Sequence, residues 1–308
     1  MTEPAITPMH FAVELPVDGV NPQFLRQSAL AEMARTVESN GFHGCSVTDH
    51  PCPPGRWIDA GGHPAQDPFV VLSMVAAVTQ RVRLLTALLV LPYRNPFVTA
   101  RAAASLDVFS NGRVTLGVGA GYLKGEFAAL GIDFDQRNEL TDEAIKAMQA
   151  AWANDEFAFA GAHFKALGNR ILPRPLQQPH PPLWVGGNSR RALRRAAELG
   201  NGWMPFAASA SLAKAARTAR LEGAADLRTG LTYLKEHAAA IGRTTPLDIA
   251  VAPTSDPIER SAGSAIADAV GVLQELGVTW CMLRLQAHTR RQWLSDVEWL
   301  AGLLELNH

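Results

Sequence analysis

Short apolar, β-branched runs alternate along this chain with longer stretches in which apolar residues recur every three or four positions. The first pattern predicts strands and the second predicts helices. In order, residues 9–15 read as a strand and 22–40 as a helix closed by Gly41; 43–48 is a strand and 68–79 a helix. Residues 84–91 and 114–118 are the third and fourth strands, with a helix at Pro96–Phe109 between them. After an interruption, 183–185 leads to a helix from Arg190, and 202–205 to a helical region spanning 210–241. Strand 247–252 with helix 259–276, and strand 279–285 with helix 291–304, complete eight strand–helix units.

The strands are nearly continuous in apolar residues, as expected when both faces of a sheet are covered. Eight such units at this length predict an α/β fold, a single (β/α)8 TIM barrel occupying one domain over 1–308. A doubly wound open sheet is the alternative. An insertion at about 122–181 separates strands 4 and 5, ~60 residues where two to six are usual. It carries an amphipathic helix at 139–152 and a hairpin at 157–171 turning at Gly161. A second excursion, 51–67, is rich in Pro and Gly and follows the second strand.

Composition narrows the function classes. Of 308 residues, 47% are hydrophobic and 19% charged, with net charge −1, so the basic excess of a nucleic-acid binder is missing. The longest apolar run, near 84–91, is broken by Thr86 and then Pro92, short of the ~18 residues of a membrane span. The opening MTEPAITPMH lacks the basic start and apolar stretch of a secretory signal. Cys45, Cys52 and Cys281 are odd in number and scattered, which disfavours a disulfide framework. The chain reads as a cytoplasmic protein acting on a small molecule.

Active sites of such barrels gather at the C-terminal ends of the strands. The second strand ends in Thr48-Asp49-His50, and His50 is the leading candidate for proton transfer or for a hydrogen bond to a cofactor. Asp49 is placed to orient it or to cap a loop. His43, Cys45, Asp49, His50, Cys52 and His63 cluster in sequence but match no zinc spacing, so no metal is expected. Gly117, Gly119 and Gly121 do not complete a dinucleotide fingerprint, because Tyr122 and Lys124 stand where its third glycine belongs. Bare backbone there suits a flat ring, or else close helix packing. No carboxylate closes the fourth strand and no G-x-S-x-G elbow occurs, which weakens glycosidase and esterase readings.

The fifth strand stops at Gly186-Gly187, and Asn188 and Ser189 open the next helix. Glycines permit close approach and free N–H groups at a helix start favour an anion, usually phosphate; an ordinary capped turn is the plainer reading. Arg190, Arg191, Arg194 and Arg195 follow, either beside an anion or as a solvated face paired with Glu198.

Several segments together resemble the luciferase-like monooxygenase superfamily of flavin- and deazaflavin-dependent barrels. They are TDH at 48–50, LLTALLVLPYRNP at 84–96, LDVFSNGRVTLGVGAGYLKGEF at 106–127 and LPRPLQQPHPPLWVGGNSRRALRRAAELGNGWMPF at 172–206. VLPYRNP and PPLWVGGNS look most like the coenzyme F420-dependent subgroup. The resemblance implies that His50 lies near the ring and the substrate, and that a non-prolyl cis peptide falls at Ala87-Leu88. It also implies that Gly119, Ala120 and Gly121 line the ring pocket, and that Gly186, Gly187, Asn188 and Ser189 hold the cofactor phosphate. Tyr122 replaces the tryptophan of many relatives. The glutamate that some deazaflavin dehydrogenases carry directly after the fourth strand is absent, Glu126 coming four residues later, so Glu126 takes no acid role in this reading. The implied activity is hydride transfer between coenzyme F420 and an organic substrate; the alternatives are an FMN-dependent monooxygenase and a non-catalytic cofactor-binding barrel. Tyr93, Trp57 and the 157–171 hairpin are expected to shape the substrate pocket, and relatives imply a homodimer.

Overall fold

Eight short strands join into a closed parallel barrel with helices between them. The computed structural model describes residues 8–306. The first seven residues, most of the segment read above for a secretory signal, and the last two lie outside the described residues.

The chain begins with β1 (His10–Glu14), α1 (Pro22–Leu25) and α2 (Gln27–Ser39), then β2 (Gly44–Val47), α3 (Gly55–Asp59) and α4 (Pro68–Val78). Next come β3 (Arg83–Val90), α5 (Pro96–Phe109) and β4 (Val114–Gly119). The insertion holds α6 (Lys124–Ala129), α7 (Arg137–Ala153) and an antiparallel pair, β5 (Phe157–Ala160) and β6 (Lys165–Asn169). The barrel resumes with β7 (Leu183–Gly186), α8 (Arg190–Leu199), β8 (Gly202–Met204), α9 (Ala210–Ala215) and α10 (Gly223–Ala240). It ends with β9 (Asp248–Val251), α11 (Gly263–Glu275), β10 (Trp280–Leu283) and α12 (Arg290–Leu303). Strand order around the barrel is β1-β10-β9-β8-β7-β4-β3-β2, so the barrel strands follow one another in chain order.

Local chemistry sets the boundaries. Asp67 and Asn95 cap α4 and α5, each accepting from two amides, and Pro68 and Pro96 sit at the first helical position, where no N–H is needed. Gly41 ends the α2 region at φ 80°, and a side chain there would come within 2.5 Å of the Leu306 carbonyl oxygen. Two expected helices are each divided. Arg26 is extended (φ −72°, ψ 143°) and separates α1 from α2. The region expected to be helical over 210–241 is two helices, because residues 216–222 turn back and Ala208 and Leu221 exchange both backbone hydrogen bonds. Arg217 in the left-handed region (φ 51°) makes that turn. The sequence around it is rich in Ala, Leu and Arg, all good helix formers, which hides the break.

Residues up to 16, 32–46 and from 184 on form one compact unit, and residues 17–31 with 47–183 form the other. Barrel strands supply much of the core: every residue of β2, β4, β7 and β8 is buried. Trp152, Trp184 and Trp203 are among the largest fully buried side chains, and each indole N–H finds an acceptor, on Ala100 O, Asp248 Oδ2 and Gly187 O. Arg113 is buried in the second unit and donates to the Ala76, Thr79, Val82 and Ser110 carbonyls and the Thr79 hydroxyl. That satisfies its donors while tying the end of α4 to the start of β4. Among the described residues no helix is long and apolar enough to cross a membrane.

Two imidazoles in these frames are held neutral. Burial, and then the neighbouring His10, push His43 below its ordinary value, and its Nδ1 accepts from the Phe11 amide at 3.1 Å. Burial also lowers His180, against the pull of the Pro181 carbonyl. A lowered folded-state pKa means that the unfolded chain takes up these protons first. Stability is therefore whole above about pH 6.5 and falls as pH drops below it, by up to ~1.4 kcal/mol per pH unit for each group. Urea midpoints measured between pH 7.5 and 5.0 should fall on acidification, and a His180→Gln variant should show a shallower fall.

Candidate active site

The ends of β2, β3 and β4 supply the His50 group. His50 comes three residues after the end of β2 and its side chain is 10% exposed. Its Nδ1 lies 3.2 Å from Oε2 of Glu126, a carboxylate that is 1% exposed. The Tyr93 hydroxyl donates to the same oxygen at 2.9 Å, and the Cys52 amide donates to Oε1 at 3.3 Å. Glu126 thus joins the loop after β2, the turn after β3 and helix α6. Burial, reinforced by Glu126, raises the phenols of Tyr93 and Tyr122, so both stay protonated.

Asp49 has another task. Its Oδ2 accepts from the Val90 amide at 3.1 Å and its Oδ1 from Arg94 at 3.0 Å, while Arg94 also pairs with Asp67. Burial raises the Asp49 carboxyl and outweighs the pull of Arg94. Asp49 therefore anchors the end of β3, closer to the loop-capping alternative than to an orienting one, and the carboxylate in contact with His50 is Glu126. The sequence reading named Glu126 only to give it no acid role, because it stands four residues past the family position, yet it is the one acidic residue between Asp107 and Asp133. A lone carboxylate in so apolar a stretch was the available signal.

The strand next to β2 in the barrel is β3. Its register against β4 shifts between Thr86 and Leu89, and the Ala87-Leu88 peptide is cis, at the position the resemblance implied. Ala87 and Leu88 are half-buried in a strand otherwise closed off beyond Arg83. Gly119 ends β4 and Gly121 follows it, and both pack closely against β3. A Cβ on Gly119 would meet the Leu88 side chain at 2.7 Å, and one on Gly121 would meet Val90 at 2.6 Å. Their bare faces are filled from within by the bulged strand, so they serve packing, while Ala120 and Tyr122 remain half-buried.

The 51–67 excursion forms the wall. Trp57, His63 and Tyr122 surround the His50 ring at centroid distances of 4.8, 5.1 and 6.3 Å. Trp57 lies on Gly62, where a Cβ would come within 2.4 Å of the indole, and Pro54 sits on Gly125 of α6, where a Cβ would come within 2.2 Å of the proline ring. The 157–171 hairpin, by contrast, directs its ring contacts and hydrogen bonds to Phe97 and to α7, where Glu143 accepts from the His163 and Phe164 amides. Those contacts do not reach the His50 group.

In the other unit, β7 ends at Gly186 and Gly187 takes φ 110°. The Ser189 hydroxyl caps α8 by accepting from the Ala192 amide. Asn188 is 7% exposed and its side chain clamps Phe206 and Ala219 through three hydrogen bonds, while its amide donates to Thr218 Oγ1. Asn188 therefore builds the corner rather than facing a ligand. The amides of Ser189 and Arg190 come ahead of the first intrahelical bond, whereas Gly187 is engaged at both its amide, by the Met204 carbonyl, and its carbonyl, by the Trp203 indole. Of the α8 arginines, Arg195 is buried and Arg190 lies over the Tyr233 ring at 5.1 Å; Glu198 pairs with His237 instead of an arginine.

A family model described as Luciferase-like monooxygenase matches residues 9–271, most of the chain. The chain belongs to the luciferase-like monooxygenase family. Among curated members, an FMNH(2)-dependent dimethylsulfone monooxygenase of Pseudomonas putida is 31% identical over 165 residues, 52% of this chain and 44% of that one. An uncharacterized protein of Mycobacterium tuberculosis is 32% identical over 189 residues, 56% of this chain and 66% of its own length. The chain thus spans about half to two-thirds of the length of these luciferase-like relatives. In solved structures the same fold appears in the monooxygenase RslO1 from Streptomyces bottropensis, with TM-score 0.79, 20% identity and coverage of 96% of this chain and 99% of that one. An F420-dependent secondary alcohol dehydrogenase superposes with TM-score 0.75 at 18% identity, covering 98% and 99%. At such identities the likeness establishes the luciferase-like barrel and no more.

Once turnover with a flavin or deazaflavin is measurable, His50→Asn should lower it ~10²–10⁴-fold, as expected for loss of a proton-transfer group. Glu126→Gln keeps the shape and an acceptor for Cys52, and should cost about 10- to 100-fold, the order seen when a partner that orients a ligating histidine is lost. Glu126→Ala should also reduce stability by ~1–3 kcal/mol, because the Cys52 amide and Tyr93 hydroxyl lose their acceptor. Wild-type turnover by Glu126→Gln would remove the orienting role.

Proposed function

We propose that this protein is an FMN-dependent oxidoreductase of the monooxygenase type, acting on a small organic substrate at the His50 group. The observation that carries the reading is the His50–Glu126 pair, enclosed by aromatic rings, with the half-open Ala87-Leu88 step on β3, the strand next to β2. The residues present fit a flat tricyclic ring: a strand whose middle alone is uncovered, and a histidine with one nitrogen fixed and one left for the ligand. Bound reduced flavin would supply the two-electron chemistry; the chain supplies binding, orientation and control of the proton.

Glu126 fixes which edge of His50 faces away from the carboxylate. Nε2 is then the atom that holds or receives a proton at the ring and substrate. Tyr93, kept protonated, donates to Glu126 and steadies its charge. Trp57, Tyr122 and His63 crowd water from the His50 ring, which strengthens every polar contact there. The backbone amides of Ser189 and Arg190 are assigned the cofactor phosphate, with Gly186, Gly187 and Asn188 shaping that corner.

Coenzyme F420 shares the tricyclic core and the phosphate and remains the second reading, with hydride transfer as its reaction. Its distinguishing support was the α8 arginines as partners for an anionic tail, and Arg190 and Arg195 are engaged elsewhere. The identity to an FMNH(2)-dependent relative supports FMN instead.

We also propose a homodimer through α4 and α5. Helix α4 carries no charged residue in eleven, yet Val70 is 62% exposed, and Val98 and Phe109 on α5 are 68% and 80% exposed. An apolar surface of this kind on neighbouring helices marks an interface.

Anaerobic titrations with reduced FMN and with coenzyme F420, followed by fluorescence, should give an FMN dissociation constant about tenfold or more below that for F420. The reverse order would return the reading to hydride transfer, and saturation by neither would sink it. Sedimentation of the same preparation should give a dimer, converted to a monomer by Phe109→Glu with Val98→Glu.

A further inference from the structure

His50 is nearly sealed. Glu126 occupies its Nδ1, and Trp57 and Tyr122 press on its ring, leaving 10% of the side chain exposed. Both chemistries considered above move a proton at His50 in every turnover, so its protonation must be reset from solvent each cycle. The question is which group carries that proton across the wall.

The neighbours can be taken in turn. Trp57 does not titrate. Tyr122 faces the ring and Tyr93 reaches it through Glu126, but both phenols are raised and hold their protons at any working pH. Glu126 is itself buried and has no exposed edge. Cys52 meets the group through its backbone amide. Asp49 and Arg94 are engaged with each other and with Val90 and Asp67. His63 is the remaining group, and imidazole is the side chain that both takes and gives a proton near neutrality.

Its placement suits the task. The His63 ring stands edge-to-face with His50, centroids 5.1 Å apart at 82°. That leaves a gap that one solvent molecule or a turn of the ring can span. One-third of the His63 side chain is exposed, so it reaches both the buried ring and solvent. Its Nδ1 faces the Pro64 carbonyl at 3.3 Å and Oδ2 of Asp18 at 3.8 Å, a carboxylate placed to steady the ring when it is charged. Gln66 donates to the Gly19 carbonyl beside Asp18 and holds the two segments together.

We propose that His63, steadied by Asp18, carries protons between His50 and solvent. The ring proton of charged His50 passes to neutral His63, the bond to His50 breaking as the bond to His63 forms; His63 then releases a proton to water. No electrons move, and the reverse sequence recharges His50. This rests on the proposed proton role of His50, and it deepens that role without depending on which cofactor binds.

The test uses the full chain with ¹⁵N-labelled histidine. In the free protein, exchange of the His50 ring proton with solvent, read from imidazole line widths, should slow about tenfold or more in His63→Phe, which keeps a ring and removes the nitrogens. Asp18→Asn should fall between the two. With cofactor present, His63→Phe should turn over ~10- to 50-fold more slowly and recover as imidazole buffer is added, while the wild type ignores buffer concentration. Unchanged His50 exchange in His63→Phe, or a slow variant that imidazole does not restore, would overturn the proposal. A wild type that turns over neither cofactor would fail the functional reading alone, because the exchange measurement needs no ligand.

Discussion

A single buried carboxylate organises the face of the barrel on which everything else depends. Glu126 is excluded from water, and a charge in that position is tolerable only when surrounded by donors. It has three: the His50 ring nitrogen and the Cys52 amide from the loop after β2, and the Tyr93 hydroxyl from the turn after β3. Its desolvation and their satisfaction are one constraint. Removing any partner leaves a polar group stranded, so the three segments are fixed relative to one another. Raised phenols, an oriented imidazole and a docked 51–67 segment are consequences of that arrangement.

A second buried carboxylate a residue away from His50 does different work. Asp49 holds the end of β3 through Val90 and Arg94, at a point where β3 has just slipped its register against β4. The bulge pushes Leu88 over Gly119 and Val90 over Gly121. A side chain at either glycine would collide with the bulged strand. The half-open surface at Ala87-Leu88 follows from packing behind it.

The architecture was legible because its signal is local and repeated. Each strand of the barrel is an apolar run, each helix has a 3.6-residue period, and caps such as Asn95-Pro96 mark the boundaries. What stayed hidden depends on contacts distant in sequence. Glu126 is 76 residues from His50, and no spacing rule joins them. Asp49 looks like a catalytic neighbour until its partners at 90 and 94 are seen. Asn188 reads as a phosphate ligand, yet its side chain is taken by backbone 18 and 31 residues away. The break between α9 and α10 escaped because the propensity of its residues favours helix and the opposing bridge, Ala208 to Leu221, is a tertiary feature.

The contact between Pro54 and Gly125 has a bearing on how such a barrel diversifies. The wall over His50 rests its weight on a position with no side chain, and even a methyl group there would pry it off. Exchanging the wall for one of another length or shape is therefore open to evolution, or to an engineer seeking a new substrate range, as long as residue 125 stays bare. The wall can thus vary around two fixed points, His63 and the bare position on which it rests.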